Sequence, residues 1–419
     1  MNNIFFYLNK KMASILLITA ALIPAGCKKD SSSTPSIKAV RLEITAKPDS
    51  TFTQALPGTL VVLVGSGFSG VTHVYFNDMD APFNSAEVAD KSMVIRIPSS
   101  APTLATDPKV SNQIKVVTNH GEATYKFELL APAPIIVAAS NENAIAGETI
   151  TITGSNFYLL NKMVFPGGVE TTQFTATPDG TQVTVTVPSG ITTGGPIQMV
   201  AQFGTGSSPF AFNNWKSPST GFLADFENGD PFFGWQYWGG INTNDGNLFP
   251  QNTGSYIEVH PSATINAGDG SWYSDNRAVN VAASAWTPNT SDPIASYALK
   301  FEMQVKTSWK NGSFMIMTSA EINPPSNTNW AYLARYAPWE KSPSGDAKTN
   351  GWVTVTIPLT AFLSTNNGSY NASGTTAPNF GALMGGTTSV IQIMLYNDSV
   401  IPMPAIDAAF DNVRIVKMQ

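Results

Sequence analysis

Large flat side chains are concentrated where the chain is otherwise rich in glycine and amides. All nine tryptophans and eight of the twelve tyrosines lie from Trp215 onward. Several sit in polar surroundings, such as Gly234-Trp-Gln-Tyr-Trp238-Gly-Gly and Gly270-Ser-Trp272-Tyr273-Ser-Asp. A core of this size uses one or two tryptophans, and apolar surface left in water is costly unless a ligand covers it. A sugar fits a row of flat rings beside Asn, Gln and Ser: the axial C–H face of a pyranose stacks on a ring while its equatorial hydroxyls meet amides and carboxylates. Each such contact is worth on the order of 1 kcal/mol beyond area burial, so three or four give micromolar to millimolar binding. Trp352, which opens a predicted strand, and Trp215, at a boundary, are expected to pack; sequence alone leaves Trp309 and Trp339 open between packing and contact.

Other reactive groups are sparse. A glycosidase needs two carboxylates roughly 5–10 Å apart, one of them raised in pKa by burial. Glu302 and Glu321 fall on predicted strands, and nothing marks them as a pair. His73, His120 and His260 are spread over three predicted domains, which argues against a histidine metal centre or a triad. No Gly-x-Ser-x-Gly, His-Glu-x-x-His or phosphate loop is present, so the expectation is a protein that is not an enzyme and needs no cofactor. Asp225, Glu227, Asp407 and Asp411 could hold a structural calcium ion, but solvated or capping carboxylates are the expectation and no metal is assigned. With a net charge of −6 and no basic run beyond Lys10-Lys11 and Lys28-Lys29, there is no electrostatic footprint for nucleic acid. A neutral ligand fits better than a polyanion.

The single cysteine, Cys27, excludes an intramolecular disulfide and a Cys-based zinc site. Lys10-Lys11 precede an apolar stretch from Met12 to Gly26 that is too short to span a membrane and right for a signal peptide. Ala25-Gly26-Cys27 resembles the end of a bacterial lipobox, with Pro24 where such motifs carry Leu. Residues 1–26 are therefore expected to be removed, Cys27 to be lipidated, and 27–36 to form a polar tether. Acyl chains contribute about 0.8 kcal/mol per buried CH₂, so several on one cysteine make a firm membrane anchor.

Two segments then share one pattern. Gly58-Thr-Leu-Val-Val-Leu-Val-Gly65-Ser66-Gly67-Phe68 aligns with Gly147-Glu-Thr-Ile-Thr-Ile-Thr-Gly154-Ser155-Asn156-Phe157. Phe76 and Phe165 each follow eight residues later, and Val94-Ile-Arg-Ile-Pro98-Ser99 matches Thr184-Val-Thr-Val-Pro188-Ser189. Period-two alternation buries one face of each strand, Gly supplies the turns and the Phe plugs a core. These motifs resemble the IPT/TIG family of immunoglobulin-like domains, which implies sandwiches over 37–131 and 132–214 joined by the stiff Ala131-Pro-Ala-Pro134. Beyond them, strands are predicted at 222–227, 255–260, 297–307, 313–321, 331–336, 352–359, 390–397 and 409–417. Eight or more strands with polar loops and no convincing helix predict an all-β chain whose last domain, 215–419, is a larger jelly-roll-like sandwich.

That last domain resembles the glycan-binding domain of the surface glycan-binding proteins of Bacteroidota, best known in the xyloglucan-binding type. The resemblance is carried by Leu-Ala-Asp225-Phe-Glu, the interval from Trp238 to Trp272-Tyr273, Trp339 after Ala337-Pro338, Gly351-Trp352-Val-Thr-Val-Thr-Ile-Pro-Leu and the closing Ala-Phe-Asp411-Asn-Val-Arg-Ile-Val. It implies non-catalytic capture of a polysaccharide such as xyloglucan at the outer membrane, beside an outer-membrane glycan transporter. It also implies an aromatic platform, placed by spacing on Trp238, Trp272 and Tyr273. Trp235 and Tyr237 extend that surface, and Trp330, with Tyr332, stands behind them. The competing expectation is an adhesin or structural surface protein that grips another protein.

Overall fold

The computed structural model describes residues 33–43, 50–214, 221–227, 241–252, 254–269, 275–282, 291–319, 331–365, 372–384 and 390–418. These residues are nearly all in β-sandwiches. The chain divides into two compact units, Met1–Ala101 with Val110–Leu129, and Pro102–Lys109 with Leu130–Gln419.

In the first unit the strands Ser36–Leu42, Leu60–Ser66, Ser92–Arg96 and Val88–Ala89 form one sheet; Met79–Asp80, Val71–Phe76, Gln113–Thr118 and Gly121–Lys126 form another. Leu63, Phe68, Phe76, Ile95 and Ile114 fill the core. The second unit begins with the same arrangement built on Thr149–Ser155 and Leu160–Phe165. The shared motif has a steric cause. At Gly65 a Cβ would stand 1.9 Å from the Ser36 carbonyl oxygen and 2.6 Å from the Phe68 ring; at Gly154 it would stand 1.9 Å from the Ile135 oxygen and 2.6 Å from the Phe157 ring. These two glycines therefore serve a close strand approach, not the turn expected of them. The turn conformation falls on Gly67 and Asn156, with φ of 72° and 61°, a region that Gly and Asn enter most easily.

The rest of the second unit is a larger antiparallel sandwich. Its first sheet runs Ile241–Thr243, Tyr256–Val259, Ala408–Lys417, Tyr297–Val305 and Val353–Pro358, with Phe222–Ala224 also paired to Ala408–Lys417. Its second runs Ala278–Ala282, Val390–Tyr396, Ser313–Ser319, Tyr332–Tyr336, Leu363–Thr365 and Ala372–Thr376. The eight predicted strands are present with ends shifted by a few residues, and the end of the one predicted at 313–321 lies outside the described residues. The short strands Ile241–Thr243, Ala278–Ala282, Leu363–Thr365 and Ala372–Thr376 and the helix Phe380–Met384 had no legible period, being too short to repeat one.

The central strands of both sheets are buried on both faces. Between them lies a core of Leu299, Phe301, Phe314, Ile316, Ile393 and Phe410. Behind the second sheet Met315, Met317, Leu333 and Met394 form a separate buried cluster, which is why its strands read as unbroken apolar runs. Behind the first sheet the alternate residues of Tyr297–Val305 are polar, yet Lys300, Glu302 and Gln304 are also buried. The loop around Glu142, from the preceding immunoglobulin-like sandwich, covers Lys300 and Glu302. Arg414 donates to Glu142 Oε2 at 2.9 Å and to Glu302 at 2.8 and 3.0 Å, and Lys300 Nζ reaches Glu142 Oε1 at 2.5 Å. Asn143 Nδ2 and the Thr354 hydroxyl complete the Glu302 carboxylate at 2.7 Å each. Arg414 reaches this position through a bulge at Asn412, whose φ is 50°: Ala408 and Phe410 face the core before it, Val413 and Ile415 after it.

Candidate functional site

The aromatic residues assigned to ligand contact, Trp235, Tyr237, Trp238, Trp272, Tyr273 and Trp330, lie outside the described residues, as do Cys27, Trp215 and Glu321. The chain that flanks them is described, and its register arranges the segments. Residues 228–240 rejoin the first sheet at Ile241, paired with Glu258. Residues 270–274 rejoin the chain at Asp275, and the Asn276 carbonyl accepts from His260 N at 3.1 Å, just past Val259. Those two entries therefore stand at one end of the sandwich. The flanks of 320–330 are at the other: Ala278 pairs with Met394, whereas Ser319 pairs with Val390. Register thus groups the C-terminal flank of residues 228–240 with the flanks of 270–274 and sets those of 320–330 apart, while the N-terminal flank, Glu227, stands by Ser255 at the other end of Tyr256–Val259.

The three described tryptophans pack. Trp309 is 0% exposed, stacked edge-on against Phe314 at 5.3 Å, with its indole N–H on the Asn311 carbonyl at 2.9 Å. Trp352 joins Phe249 and Tyr256 in a small cluster on the outer side of the first sheet and donates to the Pro250 carbonyl at 3.0 Å. Trp339 is half-buried against the core, its N–H on the Gly312 carbonyl at 2.8 Å.

The acidic residues near the domain ends do different jobs. Asp225 accepts from Glu227 N at 3.1 Å and Glu227 from Ser255 N at 2.6 Å, both capping main chain. Asp411 accepts from Asn412 N at 2.7 Å. Asp407 instead joins Glu258 and His260, whose potential ligand atoms all lie within 4.8 Å of one another, so His260 is not the isolated histidine it seems in sequence. Glu258 in strand Tyr256–Val259 and His260 just past its end, two apart, are the sequence signal for that cluster. Burial, and then the neighbouring Asp407, push the Glu258 carboxyl above its ordinary range. Lys306 Nζ stands 3.8 Å from Asp407 Oδ2 and supplies a positive charge that competes with any cation. A hydrogen-bonded carboxyl pair is also closer than a glycosidase uses. Glu302 is committed to Arg414, Asn143 and Thr354.

Just past Asp275, where the described chain resumes, Arg277 lies buried with Nη1 3.0 Å from Asp269 Oδ2 and Nη2 3.6 Å from Asp275 Oδ2. Nearby, Arg335 pairs with Glu340 at 2.9 Å and with Asp398. Sequence reasoning passed over all of these, since a charge pair between distant segments leaves no local pattern.

Two packed antiparallel sheets, following the immunoglobulin-like sandwiches in sequence, define a β-sandwich domain. Residues 216–417 match the family model described as the surface glycan-binding protein B xyloglucan binding domain, and the chain resembles surface glycan-binding protein B. Its fold is similar to that of the surface glycan-binding protein PbSGBP-B from Prevotella bryantii, with a TM-score of 0.63 at 23% identity over 92% of this chain and 99% of that one. It is also similar to SGBP-B from a complex xyloglucan utilization locus in Bacteroides uniformis, with a TM-score of 0.50 at 18% identity over 92% and 100%. An IPT/TIG domain-containing protein of Bacteroides ovatus is 35% identical over 161 residues, which is 38% of this chain. The chain spans 33% of the length of that curated relative.

Proposed function

We propose that the protein is a cell-surface lipoprotein, anchored through Cys27, that captures a β-linked polysaccharide such as xyloglucan without cleaving it. The match of residues 216–417 to a xyloglucan-binding domain carries this reading. The packing of Trp309, Trp339 and Trp352 supports it, because structure consumes those three and leaves the Gly-rich segments as the source of stacking rings. In this reading Trp238, Trp272 and Tyr273 carry the glucan backbone, with Trp235 and Tyr237 beside them. Trp330 is a weaker member, since its flanks stand at the opposite end of the second sheet. Stacked pyranose faces and hydroxyl hydrogen bonds give reversible binding, and repeated contacts along one polymer add avidity. Captured polymer is then at high local concentration for a transporter in the outer membrane.

Affinity electrophoresis of the full chain through soluble xyloglucan tests the reading. Retardation that Trp272→Ala weakens roughly tenfold or more, with the thermal transition unchanged, is expected. Release of reducing sugar, or retention only by a protein partner, would replace it with an enzyme or an adhesin.

A further inference from the structure

We propose that Glu258, His260 and Asp407 form a binding site for a divalent transition-metal ion of the zinc type, which ties the strand Tyr256–Val259 to the strand Ala408–Lys417 on the outer side of the first sheet.

Register brings the three together. Glu258 pairs with Ala409 and Val259 with Ala408, so the next step of the same antiparallel ladder, just past the strand ends, sets His260 opposite Asp407. Ile257 and Val259 face the core while Tyr256 and Ala409 face outward. Side chains two apart share a face, which turns Glu258 and His260 outward with Tyr256. Residues directly opposite one another stand close enough for their side chains to meet, and one ligand atom from each of the three lies within 4.8 Å of the other two. His260 Nδ1 is 3.5 Å from Asp407 Oδ1, whereas two ligands on one tetrahedral zinc ion stand about 3.4 Å apart. The main chain holds Asp407 in place: Asp407 N donates to the Thr307 hydroxyl at 2.8 Å, and Lys306 N donates to the Asp407 carbonyl at 2.9 Å.

The unmet acceptors call for a cation. Glu258 is 8% exposed, and among the described residues the only hydrogen-bonding partner of its carboxyl is a second carboxyl, that of Asp407. Asp407 Oδ1 is buried and accepts no hydrogen bond. Buried acceptors are normally matched by donors; here a dication between the two carboxylates satisfies both at once. Lys306 does not fill that place. Its Nζ stands 3.8 Å from the other oxygen of Asp407, beyond hydrogen-bond distance, and lies over the Phe249 ring at 5.0 Å. The His260 side chain is 54% exposed, which gives an ion a path in and leaves room for water as a fourth ligand. One imidazole with two carboxylates suits zinc and its neighbours, whereas calcium takes about six to eight oxygen ligands.

The test uses the full chain, stripped with EDTA and freed of chelator, and zinc chloride as the probe. Calorimetric titration at pH 7.5 is expected to show one saturable site, and the melting temperature should rise with zinc concentration but not with calcium or magnesium. His260→Gln should weaken zinc binding at least roughly tenfold, since even the outer partners of a bound metal are worth that much. Its exposed side chain can be replaced without disturbing the metal-free fold, which the melting temperature without zinc checks. Glu258→Gln should lose the zinc-dependent rise, and Lys306→Gln, which removes a competing charge, should bind zinc more tightly. Absence of saturable zinc binding would overturn the site. So would binding unchanged in both His260→Gln and Glu258→Gln, which would put the ion elsewhere, as at the exposed pair of His73 and Asp80. A response to calcium equal to that to zinc would overturn the assignment to a transition metal.

Discussion

Glu258 is a carboxyl whose ionisation the fold opposes. It is 8% exposed, Asp407 is its neighbour, and both burial and that neighbour raise its pKa. A pKa raised on folding leaves stability intact below the ordinary carboxylate pKa and costs stability as pH rises through the folded value. Glu258→Gln, which cannot ionise, should therefore melt at a higher temperature than the wild type near pH 7.5 and at the same temperature near pH 4. Thermal scans at the two pH values check this; a variant less stable at pH 7.5 would mean that the ionised form is the one the cluster stabilises, as a bound cation would make it.

Among the elements, strand Ala408–Lys417 depends on one left-handed residue. Asn412 bulges the strand and inverts which side chains face the core, so Arg414 can reach Glu142 and Glu302. Asn412→Gly should keep that conformation, whereas Asn412→Val should cost about 1–2 kcal/mol from the left-handed backbone alone, read by urea denaturation. The paired strand approaches in the immunoglobulin-like sandwiches are stricter. Alanine at Gly65 or Gly154 would drive a methyl group into a main-chain oxygen 1.9 Å away. Each substitution should destabilise by at least about 1–3 kcal/mol; Gly67→Asn, although it copies Asn156 in backbone conformation, would put a Cβ 2.7 Å from the Ser33 carbonyl oxygen and should destabilise as well.

At the scale of the molecule, the second immunoglobulin-like sandwich belongs to the same compact unit as the binding sandwich. A polar lock joins them: Arg414, 1% exposed, sits between two buried glutamates. Burial opposes its charge, but Glu302 and then Glu142 outweigh that and push its pKa upward. Arg414→Met would leave Glu302 without a counter-ion and Glu142 with Lys300 alone, and should cost about 3–5 kcal/mol, while replacing Glu142, Lys300, Glu302 and Arg414 together by apolar residues should recover most of it. Equilibrium unfolding of the full chain measures both. Additive losses in the quadruple variant would show that the lock contributes net stability and is more than mutual compensation of buried charge.

The all-β class, the duplicated Gly-x6-Gly-Ser-x-Phe module and the aromatic surplus in Gly-rich segments were legible in sequence. Each is a local pattern: period-two alternation, a fixed spacing, or a composition within a few residues. The strand Tyr297–Val305 shows where that ends. Alternation told which side chains face the core, but not that Lys300 and Glu302 on the other face would be buried as well. Their fate depended on Glu142, which lies 272 residues from its partner Arg414 along the chain. The same holds for Trp309, for His260 with Glu258 and Asp407, and for Arg277 between its two aspartates. Pairing across sheets is chosen by the three-dimensional packing of distant segments, and burial of a polar group becomes affordable only once that packing supplies its partner.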